Sequence, residues 1–109
     1  MHLMDLRSPS GRENDVRSYL IKKIKPHCKD IKVDRFGNLI VHQRGKGPAV
    51  MLVAHMDEIG LVIQSISNAG IIKVSFVGGI DPSTCLNLRV KIETKKKDTF
   101  ISGIITTVG

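Results

Sequence analysis

An uninterrupted apolar run, residues 49–54 (AVMLVA), ends abruptly at His55-Met56-Asp57-Glu58. We call residues 49–54 the apolar segment. A run of this length without polar alternation is typical of a strand that is buried on both faces, as at the centre of an α/β sheet. The apolar segment therefore predicts an α/β fold in which a histidine and two carboxylates directly follow a central strand.

The polar residues after this predicted strand have the chemistry of part of a metal site. Because side chains alternate along a strand, His55 and Asp57 are expected on one face and Met56 on the other. Ligands of open α/β sheets bind beyond the carboxyl ends of the strands. A neutral imidazole is a good ligand for zinc or cobalt, and a nearby carboxylate can fix its tautomer and orientation. His-x-Asp is a weak motif when it stands alone, so a purely structural histidine–carboxylate pair remains the alternative.

Composition narrows the class of protein. The 109 residues, 41% of them hydrophobic, are enough for one small domain with a core. The net charge of +7 is compatible with a polyanionic partner, but three Phe, one Tyr and no Trp offer few rings for stacking, so we expect no nucleic acid. Cys28 and Cys85 match no CxxC spacing and are expected to be reduced thiols. No apolar run reaches the roughly 18 residues of a membrane span, and no signal peptide is recognisable, so we expect a cytoplasmic protein with no membrane partner.

A helix is predicted over residues 10–25. Ser10 and Glu13 have the spacing of a capping box, which predicts that Ser10 caps the helix and that Glu13 completes the box. Pro26 cannot continue the helix. The apolar side chains that would share one helix face are Val16, Tyr19, Leu20 and Ile24.

A hairpin is predicted after the helix, where the apolar period changes to two. Residues 31–33 and 39–43 are its strands, and residues 34–38 are its turn, because Gly37 and Asn38 tolerate a positive φ. His42 lies in the second of these strands and is predicted to be exposed rather than to be a metal ligand.

The second half of the sequence is predicted to be all-β. Turn sequences separate four short strand-like runs, at residues 61–67, 71–76, 89–94 and 100–106, as in a small barrel or sandwich. The domain boundary is therefore placed between residues 62 and 63. The last run is still strand-like where the sequence stops, so we expect the chain to be the front part of a longer one. Uncovered apolar strands and open edges also predict association with another chain.

Several motifs of this sequence occur in the same order in one family of enzymes. They are "SGRE" at residue 10, "VDRFGNLIV" at residue 33, "VAHMDEIG" at residue 53 and the following "LVIQSISNAGIIKVSFVGGIDP". By these motifs the chain resembles the metallo-aminopeptidases of the tetrahedral, TET-type family, which includes glutamyl and deblocking aminopeptidases. The resemblance covers essentially all 109 residues and corresponds to roughly the first third of a family member.

The resemblance implies a dinuclear metal exopeptidase that uses two divalent ions, zinc or cobalt, to remove N-terminal residues from peptide substrates. It also implies a homo-oligomer. Residues 1–62 would be the N-terminal segment of an α/β catalytic domain, and residues 63–109 the incomplete start of an inserted β-barrel domain used in oligomer contacts. His55 resembles the family's histidine ligand to one metal, and Asp57 resembles the catalytic aspartate that orients it. No catalytic role is carried onto Glu58.

One departure from the family limits these expectations. The family's bridging aspartate, its Glu-Glu pair, a further aspartate and a second histidine would all lie beyond residue 109, so the chain alone is expected to be inactive. The alternatives are a non-catalytic assembly or binding module, a basic nucleic-acid-binding domain, and a glycosidase, because relatives of this family have carried glucanase names. A glycosidase would need two facing carboxylates, which His-x-Asp does not suggest.

Overall fold

The computed structural model describes residues 3–96 and 99–106, in which there are one α-helix, six short strands and two 3₁₀ turns. The chain divides into two compact units, Met1–Gly78 and Gly79–Gly109, each described below by itself. Helix and strand are both present, as predicted, but each described strand pairs only within a local antiparallel hairpin. The assignment of residues 1–62 and 63–109 to a catalytic and an inserted domain stays a prediction.

The helix of the first unit, α1 (Asn14–Ile24), begins later than predicted. Gly11 has a φ of +86°, a left-handed conformation through which a right-handed helix cannot pass. The Arg12 N–H donates to the Pro9 carbonyl at 2.8 Å, so residues 9–12 form a tight turn. The predicted Ser10 cap is therefore wrong, because Ser10 lies within this turn and not at the helix end.

Glu13 is the N-cap residue of α1, and no side-chain hydrogen bond caps the helix. Its carbonyl accepts the first helical hydrogen bond, from the Arg17 N–H at 2.9 Å. Its carboxylate does reach backwards, but to the Gly11 N–H at 2.6 Å and not to Ser10. In place of a capping box, there is a turn before the helix, and the Glu13 carboxylate stabilises it by accepting from the Gly11 N–H.

The α1 helix is tied to the hairpin that follows it. The Arg17 guanidinium donates to the Gly37 carbonyl at 2.8 Å and also bonds the side chain of Asn14. Val16 is buried on the apolar face, and Ile24 ends the helix two residues before Pro26. Tyr19, Leu20 and Ile24 are partly buried, which confirms the predicted apolar face. The helix ends within one residue of its predicted end.

The hairpin itself consists of β1 (Ile31–Val33) and β2 (Leu39–Val41), antiparallel as predicted. Its turn is organised by Asp34, whose carboxylate accepts from the backbone N–H groups of Phe36 and Asn38 and from the Asn38 side-chain amide. These hydrogen bonds, that of the Asn38 side chain first among them, lower the pKa of Asp34 because they favour its charged form.

A second hairpin completes the first unit. Its strands, β3 (Gly60–Ile66) and β4 (Ile72–Val77), are antiparallel and lie where the sequence predicts them to within a residue. The register shifts between Ile63 and Ser65, so Gln64 is a bulge.

The apolar segment is not the buried central strand that its sequence predicts. Residues 49–54 belong to no strand, and the side chains of Val50 to Val53 are 81–93% exposed. The reason is that a strand is buried only when neighbours pair with it, and the described strands are all paired within their own hairpins. The apolar segment therefore lies outside the regular secondary structure and faces solvent in this chain.

The second unit contains a 3₁₀ turn, Pro82–Cys85, and the antiparallel strands β5 (Arg89–Glu93) and β6 (Phe100–Ile104). Asp81 caps the turn by accepting from the Ser83 N–H and hydroxyl, and these bonds, the hydroxyl first, lower the pKa of Asp81. Both predicted strands are present, and part of the predicted turn at 95–98 lies outside the described residues.

Few of the described residues are buried. The buried apolar residues are Leu6, Val16 and Cys28 in the first unit and Cys85 in the second, and both cysteines carry free thiols. No helix in the described ranges combines the length and the apolar character that a membrane crossing requires.

Candidate functional site

His55 and Asp57 lie in contact just after the apolar segment. The His55 Nδ1 atom is 3.1 Å from Oδ1 of Asp57 and 2.9 Å from the backbone carbonyl oxygen of Asp57. A carbonyl oxygen carries no hydrogen, so Nδ1 must be the donor, and in the neutral imidazole this leaves the Nε2 lone pair available. The His55 side chain is 85% exposed. His55 thus offers its Nε2 atom as one nitrogen ligand. The contacts of Nδ1 with Asp57 fix the tautomer of the imidazole.

Glu58 anchors this loop to the segment before α1. Its N–H donates to the Ser8 carbonyl at 2.8 Å, and its carboxylate oxygen Oε1 accepts from the Ser8 N–H at 3.0 Å. Pro9 and Glu58 form a parallel β-bridge at the same place. The sequence does not predict this contact, since fifty positions separate the partners and no local motif announces it.

Two glycines allow close packing around the anchor. A Cβ atom at Gly60 would lie 3.3 Å from Cβ of Pro9, and one at Gly78, whose φ is +88°, would lie 2.9 Å from Cγ2 of Ile59. Residues 58–60 are therefore packed against Pro9 on one side and against Gly78 on the other. The double glycine at residues 78–79 is explained in part by this contact.

The His55–Asp57 pair borders an open pocket of about 210 Å³. All of its lining residues belong to the first unit: Ser10, His55, Asp57, Glu58, Ile59, Val77 and Gly78. The pocket combines an imidazole, two carboxylates and a hydroxyl with apolar walls, which suits the binding of a small polar group.

The described residues supply only part of a metal site. Within residues 3–96 and 99–106, no three His, Cys, Asp or Glu side chains converge as a metal-holding group. The exposed Nε2 of His55 fits one ligand position, and the Asp57 carboxylate is engaged with the ring on its far side. The pair therefore fits an imidazole ligand and its orienting carboxylate, and the roles of both residues stay predictions.

A second histidine–aspartate pair lies in the same unit. His42 Nδ1 is 3.2 Å from Oδ2 of Asp30, and the His42 N–H donates to the Asp30 carbonyl at 3.0 Å. The His42 side chain is 65% exposed, as its position in an alternating strand predicts. The neighbouring Cys28 thiol is directed to backbone carbonyls, the nearer being that of His42 at 3.3 Å. No local pattern in the sequence predicts the pairing of His42 with Asp30.

Comparison with known proteins finds that this chain is similar to part of several aminopeptidases. It is 34% identical over 98 residues to a lysyl aminopeptidase of Pyrococcus furiosus, covering 88% of this chain and 28% of that protein. An aminopeptidase structure from the archaeon Desulfurococcus kamchatkensis matches with a TM-score of 0.87 and 33% identity, over 98% of this chain and 30% of the other. The TET1 peptidase of Pyrococcus horikoshii, which can assemble into a tetrahedron or a large octahedral shell, matches with a TM-score of 0.79 and 32% identity, over 98% of this chain and 34% of the other.

One further solved structure carries a different activity in its name. An endoglucanase of Thermotoga maritima matches with a TM-score of 0.70 and 33% identity, over 82% of this chain and 30% of the other. In every one of these comparisons the chain spans about a third of its relative's length or less.

The family model of the M42 glutamyl aminopeptidases matches residues 37–108, about two thirds of the chain. That range includes the His55–Asp57 pair and its Glu58 anchor, both hairpins β3–β4 and β5–β6, and the glycines that pack beside the pocket. By this match and by the identities above, the chain belongs to the M42 glutamyl aminopeptidase family.

Proposed function

We propose that this chain forms the N-terminal part of a metal-dependent aminopeptidase that removes N-terminal residues from peptides. The observation that carries the proposal is the hydrogen bonding of His55, which lies within the residues that the family model matches. Its Nδ1 atom contacts Asp57, and its Nε2 atom remains available to a metal. A hydrolase that uses a metal needs such a preset imidazole, because a ligand of the wrong tautomer or orientation binds weakly.

In this proposal His55 is the ligand to one of two divalent ions, zinc or cobalt, and Asp57 orients its ring. When bound, the ions supply Lewis-acid activation of the water that attacks the peptide bond. The part played by this chain's own residues is to hold the imidazole: the Asp57 carboxylate and carbonyl keep the proton on Nδ1 and leave Nε2 as the donor atom. The remaining ligands and the general base would come from residues outside this sequence.

The test is an assay of a protein of the family's full length that carries this sequence. Hydrolysis of aminoacyl p-nitroanilides should disappear after dialysis against a chelator and return when zinc or cobalt is added. His55→Ala should not be rescued by either metal, whereas His42→Ala, a matched change at the other histidine–aspartate pair, should behave as wild type. Full hydrolysis in metal-free protein would refute the proposal.

The isolated 109-residue chain is proposed to be inactive, since one imidazole is too few ligands to hold a catalytic metal. The expected result is no hydrolysis above background at any zinc or cobalt concentration. Turnover by the isolated chain that is lost in His55→Ala would contradict this part of the proposal.

A homo-oligomer is proposed for the full-length protein, because the TET1 peptidase of Pyrococcus horikoshii can assemble into a tetrahedron or a large octahedral shell. Light scattering of the full-length protein should give a mass many times that of one subunit. The alternative of a purely non-catalytic assembly module predicts the same oligomer with no peptidase activity, so the two measurements together separate the hypotheses.

The endoglucanase name of one relative supports a second candidate function, glycoside hydrolysis. Such hydrolysis relies on a pair of carboxylic acids and needs no metal. Cleavage of a soluble glucan that survives the chelator would favour this alternative, and its absence alongside chelator-sensitive peptidase activity would favour the first.

A further inference from the structure

We propose that Ser8 and Glu58 are positioning residues for His55: they form a latch between the segment before α1 and the loop that carries the imidazole. The effect of the latch on catalysis rests on the proposed function of His55, whereas the positioning of the ring does not. The latch itself is carried by the hydrogen bonds between Ser8 and Glu58, and it reaches His55 through the carbonyl of Asp57.

The link runs through a single peptide group, the one joining Asp57 to Glu58. Its carbonyl oxygen accepts from His55 Nδ1 at 2.9 Å, and its N–H donates to the Ser8 carbonyl at 2.8 Å. A peptide group is planar and rigid, so fixing the N–H fixes the direction of the carbonyl. By accepting from the Glu58 N–H, the Ser8 carbonyl therefore fixes the direction of the Asp57 carbonyl, which accepts from the His55 ring.

Glu58 makes the link a two-point contact. While its N–H donates to Ser8, its Oε1 atom accepts from the Ser8 N–H at 3.0 Å. A hydrogen bond to a charged acceptor is stronger than a neutral one, and two bonds restrict rotation that one would allow. Ser8 is only 4% exposed, so water competes poorly for these groups.

The latch matters because the chain just before it is held by little else. Residues 42–57 belong to no strand or bridge, and Glu58 is the first residue after His55 whose backbone is paired. Pro9 beside Gly60 and Gly78 beside Ile59 pack the residues that follow. Without Glu58 in place, the Asp57–Glu58 peptide would be free to turn its carbonyl away from the ring.

The predicted consequence is a fixed tautomer. With the latch closed, Nδ1 keeps the proton, and Nε2 is available to a metal. With the latch open, the imidazole loses its carbonyl acceptor and keeps only the Asp57 carboxylate, 3.1 Å from Nδ1 in the closed state. The tautomer with the proton on Nε2 then gains population, so the fraction ready to bind a metal falls. Ser8 and Glu58 act through the peptide group and touch neither substrate nor metal, which is why neither is a catalytic residue.

The experiment is long-range ¹H–¹⁵N NMR of the His55 ring in the 109-residue chain at about pH 8.5, where histidine is ordinarily neutral. The wild-type chain should show one predominant tautomer, with the proton on Nδ1. Glu58→Ala should shift the ring nitrogens toward the averaged values of a free imidazole. Glu58→Gln should keep the wild-type spectrum, because its amide oxygen can still accept from Ser8. Asp81→Ala is the matched control, since it removes a carboxylate that accepts a backbone N–H in the second unit.

An unchanged His55 spectrum in a folded Glu58→Ala chain would overturn the proposal, as would equal changes in Glu58→Ala and Glu58→Gln. If Glu58→Ala does not fold, amide exchange in the wild-type chain decides: the Glu58 N–H should exchange more slowly than those of residues 50–53, and equal exchange would overturn the latch. None of these readouts needs metal or activity. A closed latch in a protein without peptidase activity would therefore refute the proposed function and leave the positioning intact.

Discussion

The two histidine–aspartate pairs of the first unit have almost the same distance between Nδ1 and the carboxylate oxygen, but their structural surroundings differ. His42 Nδ1 is 3.2 Å from Asp30, and His55 Nδ1 is 3.1 Å from Asp57. The first pair joins the end of a regular hairpin to the residue that precedes β1. The second pair is contained in three consecutive residues of an unpaired loop, and a backbone carbonyl shares its proton.

This difference teaches that a histidine–carboxylate contact does not by itself mark a site. His42 stands at the end of a hairpin strand and makes a backbone bond to the same aspartate, so its contact adds one link to a structure that already exists. His55 borders an open pocket and lies within a loop that Glu58 ties to Ser8 by two hydrogen bonds. Matched substitutions can test whether the two pairs differ in function as they do in surroundings.

The largest difference is expected when the imidazoles are removed in the full-length protein. His55→Ala should lower kcat/KM for peptide substrates by about a thousandfold or more, because the loss of a metal ligand removes several kcal/mol of transition-state stabilisation. His42→Ala should change it by less than about twofold, since a surface contact away from the chemistry contributes little. Initial rates at saturating metal are the measurement. Comparable losses in both variants would remove the distinction between the pairs.

A smaller difference is expected for the carboxylates. Asp57→Asn in the full-length protein should lower metal affinity or activity by about 10–100-fold, the range typical of a group that orients a ligand. Asp30→Asn is the matched change and should leave both unaltered. Metal content after dialysis and the rate at a fixed metal concentration give the two readouts. An Asp57→Asn protein with normal metal content and rate would mean that the backbone carbonyl alone orients His55.

Packing beside the His55 pair is open to a stability test with two glycines of positive φ. A Cβ atom added at Gly70, in the β3–β4 turn, would meet open space, whereas one at Gly78 would meet Ile59 at 2.9 Å. Gly70→Ala should cost about 1 kcal/mol from backbone strain alone. Gly78→Ala should cost about 2–4 kcal/mol, because overpacking is added to the same strain. Urea unfolding of the isolated chain measures both, and equal costs would show that Ile59 moves aside freely.

The smallest effect is expected in acid, at the turn of the hairpin that leads to His42. The pKa of Asp34 is lowered, chiefly by its bond to the Asn38 side chain, so its stabilising contribution is present above the ordinary value of 3.8. That contribution is lost as the pH falls through the lowered pKa. The carboxyl ¹³C shift of Asp34 should therefore titrate below the ordinary range, and Asn38→Ala should move it upward. A titration unaffected by Asn38→Ala would assign the shift to the backbone bonds instead.

Local patterns were the part of the fold that the sequence could predict. Each of the three hairpins depends on neighbouring residues and on a nearby turn, and the predicted strands of all three are present. The prediction of the helix start was wrong because the capping-box spacing does not take Gly11 into account. The left-handed φ of Gly11 closes a turn before the helix can begin. The prediction that the apolar segment is buried was wrong for a non-local reason. Burial of a strand depends on neighbouring strands and helices, which a local sequence pattern does not reveal.

The site was predictable to the same extent. The spacing of two between His55 and Asp57 is enough to propose their contact, although residues 55–57 belong to no strand in the structure. The Glu58–Ser8 anchor joins positions fifty residues apart, and the second acceptor of the ring is a backbone carbonyl, which no residue type reveals. The contact between Asp30 and His42 was not predictable for a related reason, since it depends on how β2 ends beside the residue before β1.

The exposed apolar segment has a consequence for the handling of the isolated chain. Six consecutive residues without charge, Pro or Gly, which belong to no strand, have the composition from which cross-β fibrils nucleate. Pro48 on one side and the polar residues from His55 on the other are the only gatekeepers next to it. On storage at high concentration, aggregation should begin at Val50 to Val53, and Leu52→Lys, at the most exposed of these positions, should lengthen the lag time in a thioflavin T assay.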